Sequence, residues 1–193
     1  MDVIALIESL KRSDENLIQG SIELDKAIDH IVQLIRDTCS LYSCGSFASS
    51  AFFSITACEE VAKAHIGLFT DGNNPAQKGR NFFRDHNTKH KMAALPTVPM
   101  GDRLGDALGE RQLQRIMKLA QNSGFVKCRE NSLYFQRQSG ILIVPKEKVD
   151  KKFARALALF AIEVFDDALV GLTNHSFEVG EITDSLFEAV KNT

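Results

Sequence analysis

Apolar residues recur at three- and four-residue steps through most of the chain, the spacing of one buried face on a helix. The clearest run covers residues 15–43. Its stripe is Leu17, Ile18, Ile22, Leu24, Ile28, Ile31, Leu34, Ile35 and Leu41, and Cys44-Gly45 marks its end. Gly20 sits inside that run at a cost of about 1 kcal/mol relative to Ala, so a bend or close packing is expected there. Residues 46–70 restart with Ser46 as cap and carry Ala48, Ala51, Phe52, Ile55, Cys58, Ala62, Ile66 and Phe69. Many of these are small, which lets a neighbouring helix approach closely.

Weaker patterns complete the chain. Residues 2–11 read as a short amphipathic helix, followed by Ser13-Asp14-Glu15 as a helix start. Asp71 to Pro75 is a turn by composition, 76–81 a polar loop and 97–101 a break. Helices are predicted over 82–94, 102–122, 147–172 and about 181–191. Leu133-Tyr134-Phe135 and Ile141 to Val144 are β-prone runs around a five-residue turn, which suggests a small hairpin near 133–144. Six or so helices with short links predict an all-α antiparallel bundle in one domain over 1–193. Its core covers about 14–172, with the terminal helices packed on it.

Composition narrows the function classes. The 193 residues include 23 Lys and Arg against 25 Asp and Glu, a formal charge of −2. A general nucleic-acid coat would be far more basic, so any RNA contact must be local. No apolar run reaches the ~18–20 residues of a membrane span. Met1 to Ile4 has no basic stretch, so neither a signal peptide nor membrane attachment is expected, and a cytoplasmic protein is. Cys39, Cys44, Cys58 and Cys128 form no Cys-x-x-Cys pair and read as reduced, mostly buried thiols.

The densest polar cluster is Arg84-Asp85-His86-Asn87-Thr88-Lys89-His90-Lys91, with two of the five histidines. His86 and His90 are four apart and share a helix face. Arg84 and His90 are six apart, roughly 120° around a straight helix. They converge if Arg84 stands at a helix start or a second subunit completes the site. A guanidinium binds two phosphate oxygens at once, and an imidazole moves protons near pH 7. The pair suffices for RNA cleavage without metal: His helps the 2′-hydroxyl attack and Arg stabilises the charge that develops. The bland alternative is a solvated helix start.

A second cluster is Glu59-Glu60-Val61-Ala62-Lys63. Glu59 falls near the apolar stripe, and a partly buried carboxylate needs a partner. Lys63 at i+4 or the Arg84/His86 segment could supply it. A metal at His86 and His90 with Asp85 or Glu59 is a third reading, but His-Glu-x-x-His and paired cysteines are missing. No metal or cofactor is expected. Gly101, Gly105 and Gly109 match no phosphate-binding loop, and no serine triad has motif support.

These features come in a recognisable order. Cys58-Glu59-Glu60-Val61-Ala62-Lys63-Ala64 resembles the A-x-E-E-x-x-K helix of the AbiV-type abortive infection family. Phe83 to Lys91 resembles its next, His/Lys-rich helix. Ser132-Leu133-Tyr134-Phe135, then Pro145 and a long helix, is similar to its closing part. The resemblance covers roughly residues 14–172. It implies a HEPN-like bundle, commonly a homodimer, with an Arg-x(4–6)-His motif at Arg84 and His90 in which His86 competes for the His position. Glu59, Glu60, Lys63, Asp85 and Lys89 would support them. The implied role is phage defence, by metal-independent RNA cleavage or a block on translation, with a phage protein as trigger. The alternative is a non-catalytic binding module. Under the nuclease reading, Arg84→Ala and His90→Ala abolish cleavage and leave melting nearly unchanged.

Overall fold

In a computed structural model, residues 16–69, 85–94 and 102–193 are described. The predicted helix over 2–11, the Ser13 cap, the 71–81 turn and loop and the 97–101 break lie outside them.

Among the described residues the chain is a helical bundle with one small hairpin. The helices are α1 (Ser21–Ser43), α2 (Phe47–Gly67), α3 (His86–Ala93), α4 (Asp102–Leu108), α5 (Glu110–Gln121) and α6 (Gly124–Leu133). After strands β1 (Gln136–Gln138) and β2 (Ile141–Ile143) come a 3-10 turn at Pro145–Glu147, α7 (Lys151–Leu169) and α8 (Asn174–Lys191). No described helix is long and apolar enough to cross a membrane.

The centre is α2 and α7. Ala51, Ile55, Ala57, Cys58, Val61 and Ala62 of α2 are buried, and α7 is buried almost continuously from Ala154 to Phe165. Their small residues bring the backbones together, and α2 packs against α1, α3, α6 and α7. α1 lays Leu24, Ile28, Ile31, Ile35 and Cys39 onto this pair, and α8 closes it with Val179, Phe187 and Val190. Arg155 of α7 donates to the carbonyls of Val190 and Lys191 at the end of α8 and of Ala107 in α4. It thereby satisfies carbonyls that a helix end leaves open.

Several predicted boundaries move for local reasons. The first helix starts at Ser21 instead of 15, because Gly20 takes φ 82° and serves as its N-cap rather than as an interior bend. Ser46 does precede α2, but its side chain makes no capping bond. The single helix expected over 102–122 is two, split where Gly109 adopts φ 75°. Residues 124–133, for which no helix was predicted, are helical.

The hairpin exists but is shifted. Its first strand is Gln136–Gln138, and Gln136 faces Ile143. Ser139 and Gly140 form the turn, both with positive φ, which gives the tight two-residue link that matches strand twist. The apolar run Leu133-Tyr134-Phe135 stays outside it, exposed. The last helix begins at Asn174, seven residues before its expected start, where the Thr173 side chain accepts from the Ser176 N–H.

Candidate functional site

Glu59 lies on the face of α2 covered by α3 and is only 3% exposed. A carboxylate there needs donors, and α3 supplies three. His86 Nδ1 is 2.8 Å from Oε2, His90 Nε2 is 2.7 Å from Oε1, and Lys89 Nζ is 3.4 Å from Oε2. Positions 86, 89 and 90 share one face of a helix, so all three reach the same carboxylate. Burial would raise the Glu59 pKa. The His90 hydrogen bond, the Lys89 and His90 charges and the His86 hydrogen bond outweigh it and lower it to about 2.

Asp85 starts α3. Its backbone is extended, and its carboxylate accepts from the Asn87 N–H at 3.0 Å and the Thr88 hydroxyl at 2.8 Å. That cap sets the phase of the helix and so aims His86, Lys89 and His90 at Glu59.

The two histidines differ in access. His90 is fully buried, with its ring edge-on to Phe125 at 5.4 Å. Its Nδ1 is buried with no hydrogen-bond partner. The His86 side chain is 43% exposed. Each turns one ring nitrogen to Glu59, Nδ1 of His86 and Nε2 of His90, so the His86 nitrogen not engaged by Glu59 is Nε2.

The expected residues thus divide. Glu59, Asp85, His86, Lys89 and His90 come together. Of the two partners open to Glu59, the α3 segment takes the place. Lys63 pairs with Glu60 instead, at 3.0 Å, and both line a separate cleft toward α1 with His30 and Ile31. Successive helical residues point about 100° apart, so Glu60 cannot share the direction of Glu59. Arg84 lies outside the described residues. Among the described residues no group of three or more His, Cys, Asp or Glu is placed to hold a metal. The histidine nitrogens that face Glu59 bond to its oxygens directly.

A second cluster was not marked by any spacing. Arg103 of α4 pairs with Glu163 of α7 at 2.6 Å, and also with Asp166 of α7 and Asp184 of α8. Its guanidinium lies 4.4 Å from the Phe187 ring centroid. Burial lowers the Arg103 pKa, but the Asp184 and Glu163 bonds more than reverse this. Burial pushes Asp166 up to about 6 against the pull of Arg103, and Asp167 up to about 6 with help from Glu163. The only sequence signal was Glu163 inside the otherwise apolar run 156–165 of α7.

The cysteines keep the bland reading: all four are free, Cys39 and Cys58 buried and Cys44 exposed. Burial pushes the Cys39 thiol up to about 12, away from reactivity.

The described residues are thus those of an all-α bundle in which a buried Glu on one helix gathers the His-rich helix that follows it. Residues 23–165 match the HEPN-type AbiV family profile, and the chain belongs to that family. Membership points to an abortive-infection, HEPN-type function. No curated protein and no solved structure matches the chain.

Proposed function

We propose that this protein acts in phage defence by cleaving RNA without a metal ion, with His86 as the group that reaches the substrate. The observation that carries this reading is the 2.8 Å bond between half-exposed His86 and buried Glu59. A carboxylate on one ring nitrogen leaves the other ready to take a proton, the arrangement of a general base. Here that proton is the ribose 2′-hydroxyl's; the oxygen then attacks the adjacent phosphorus, the P–O5′ bond breaks, and the 5′-oxygen leaves with a proton taken from the imidazolium or from water. Arg84, the covalent neighbour of the cap residue Asp85, would hold the phosphate and offset its growing charge. His90 and Lys89 act as positioning residues through Glu59.

This reading exchanges the roles of the two histidines. The resemblance favours His90, but a fully buried ring inside one chain does not touch RNA. A homodimer would place two such sites across a two-fold axis.

The test is cleavage of mixed cellular RNA in EDTA by wild type, Arg84→Ala and His86→Ala, with product ends analysed. Cleavage by wild type alone, leaving 2′,3′-cyclic phosphates, supports the proposal. If His86→Ala cleaves as wild type does, His86 is not the base. The second reading, a non-catalytic module that blocks translation or senses a phage protein by contact, draws on the burial of His90. It predicts no cleavage by wild type and a co-purifying partner.

A further inference from the structure

The charge of this chain is unevenly placed. Residues 111–155 hold eleven of the 23 Lys and Arg but three of the 25 Asp and Glu, a formal +8 in a chain of net −2. The structure sorts these cations by use. Arg155 is spent on helix-end carbonyls, and Arg129 lies over the Phe52 ring. Arg111, Arg115 and Lys118 of α5 and Lys152 of α7 are exposed, and no carboxylate among the described residues pairs with them.

Those four side chains face common space. Arg111, Arg115 and Lys118 are spaced by four and three, within an arc of roughly 60° on the helix. The opposite face of α5 buries Ile116 and Ala120. Arg111, Arg115 and Lys152 line a cleft of about 650 Å³, and Arg111, Arg115 and Lys118 line an adjoining one of about 440 Å³. Arg115 is steadied over the Phe153 ring at 5.4 Å. One carboxylate, Glu110, also lines the larger cleft. Glu110 accepts from Gln114 at 2.6 Å, and Asp150 caps α7 by accepting from the Phe153 N–H at 2.7 Å. Such a surface lacks only a polyanion. α5 also packs against α3, the helix that carries His86.

We propose that the α5 face, with Lys152, is a docking surface for the phosphate backbone of single-stranded RNA, separate from the Glu59–His86 site and read without regard to base sequence. It rests on the reading that this chain acts on RNA. It adds to that reading the place where the strand is held.

Binding is measured by fluorescence anisotropy of a labelled 2′-O-methyl oligouridylate of ~20 nucleotides, which lacks the attacking hydroxyl and so cannot be cut. Four phosphate contacts on a single strand predict a salt slope near −2.8, so wild-type affinity falls about 50-fold from 50 to 200 mM salt. Replacing Arg111, Arg115 and Lys118 together by Gln leaves one contact, and the same salt step then costs about 3-fold. The triple variant also binds at least about tenfold more weakly at 50 mM salt. Its substituted residues are exposed, so it should melt like wild type; if it does not, Lys118→Glu alone gives the same direction of change.

The proposal is overturned if wild type does not bind the probe, if the variants bind as wild type does, or if polyglutamate of equal length competes as well as RNA. The last result would make an acidic protein segment the occupant. Binding with the expected salt slope but no cleavage of ordinary RNA keeps this surface and removes the nuclease reading. Cleavage with unchanged binding by the triple variant does the reverse.

Discussion

The Glu59 and Arg103 clusters are near mirror images. In one, a buried carboxylate of α2 gathers two imidazoles and an ammonium from α3. In the other, a guanidinium of α4 gathers three carboxylates from α7 and α8. The first joins two successive helices, the second helices 60 to 81 positions apart. What differs is whether the charge can change. A guanidinium stays ionised at any working pH and forks between acceptors, so the Arg103 cluster is a fixed clasp. Imidazoles gain and lose protons near neutrality, and one of them reaches the surface at Glu59. The same pairing physics makes a fixed clasp in one cluster and leaves a half-exposed imidazole in the other.

The sharpest break of this comparison is Glu59→Ala. It strands Lys89, which is 4% exposed, beside fully buried His90. Removing one partner of a buried ion pair costs about 3–5 kcal/mol, and thermal unfolding should show the loss. A melt like that of wild type would mean that Lys89 and the histidines find other partners. Arg103→Ala comes next, at about 2–3 kcal/mol, because its side chain is 32% exposed and partly screened. In a chain of this size that lowers Tm by roughly 4–12 °C.

The two histidines should separate by stability. His90→Ala empties a fully buried site against Phe125 and costs about 2 kcal/mol or more. That revises the expectation that His90→Ala leaves melting unchanged. His86→Ala should cost under about 1 kcal/mol, since that ring is half-exposed. Equal losses in urea titrations would remove the distinction between base and positioning residue.

The effects of pH run in opposite directions in the two clusters. Glu59 is lowered from 4.5 to about 2, so its contribution is complete above about pH 4.5 and is lost as pH falls toward 2. Asp166 and Asp167 are raised from 3.8 to about 6. Between those values the folded chain holds their protons more tightly than the unfolded chain, so their effect destabilises as pH rises through the window. Urea midpoints against pH should therefore lose the acid limb in Glu59→Gln and flatten between about pH 4 and 6 in Asp166→Asn/Asp167→Asn. A Glu59→Gln curve parallel to wild type at acid pH would show that the carboxylate is not held low.

Much of the bundle was legible because helix periodicity is local. The stripe Leu24, Ile28, Ile31, Ile35 predicts α1, and the small residues of α2 predict a helix that others approach closely. The misses have local causes too. α6 carries Lys127, Arg129 and Glu130 between its apolar positions, which hides its period. Leu133, Tyr134 and Phe135 look like a strand by type, yet apolar character does not require burial or pairing, and they remain on the surface.

At the site, the residue types and the shared face of His86 and His90 were readable from four-residue spacing. The sequence by itself determined that His86 and His90 share one side of α3 and that Glu59 falls near the apolar stripe of α2. Only the tertiary structure decided that these two faces meet, that Lys63 turns to Glu60, and that His90 is sealed while His86 is open. Arg103 and its three carboxylates, up to 81 positions apart, belong wholly to that second kind. Spacing along a chain governs which side chains share a face, whereas partners across helices follow from how the faces pack. No local pattern encodes that contact.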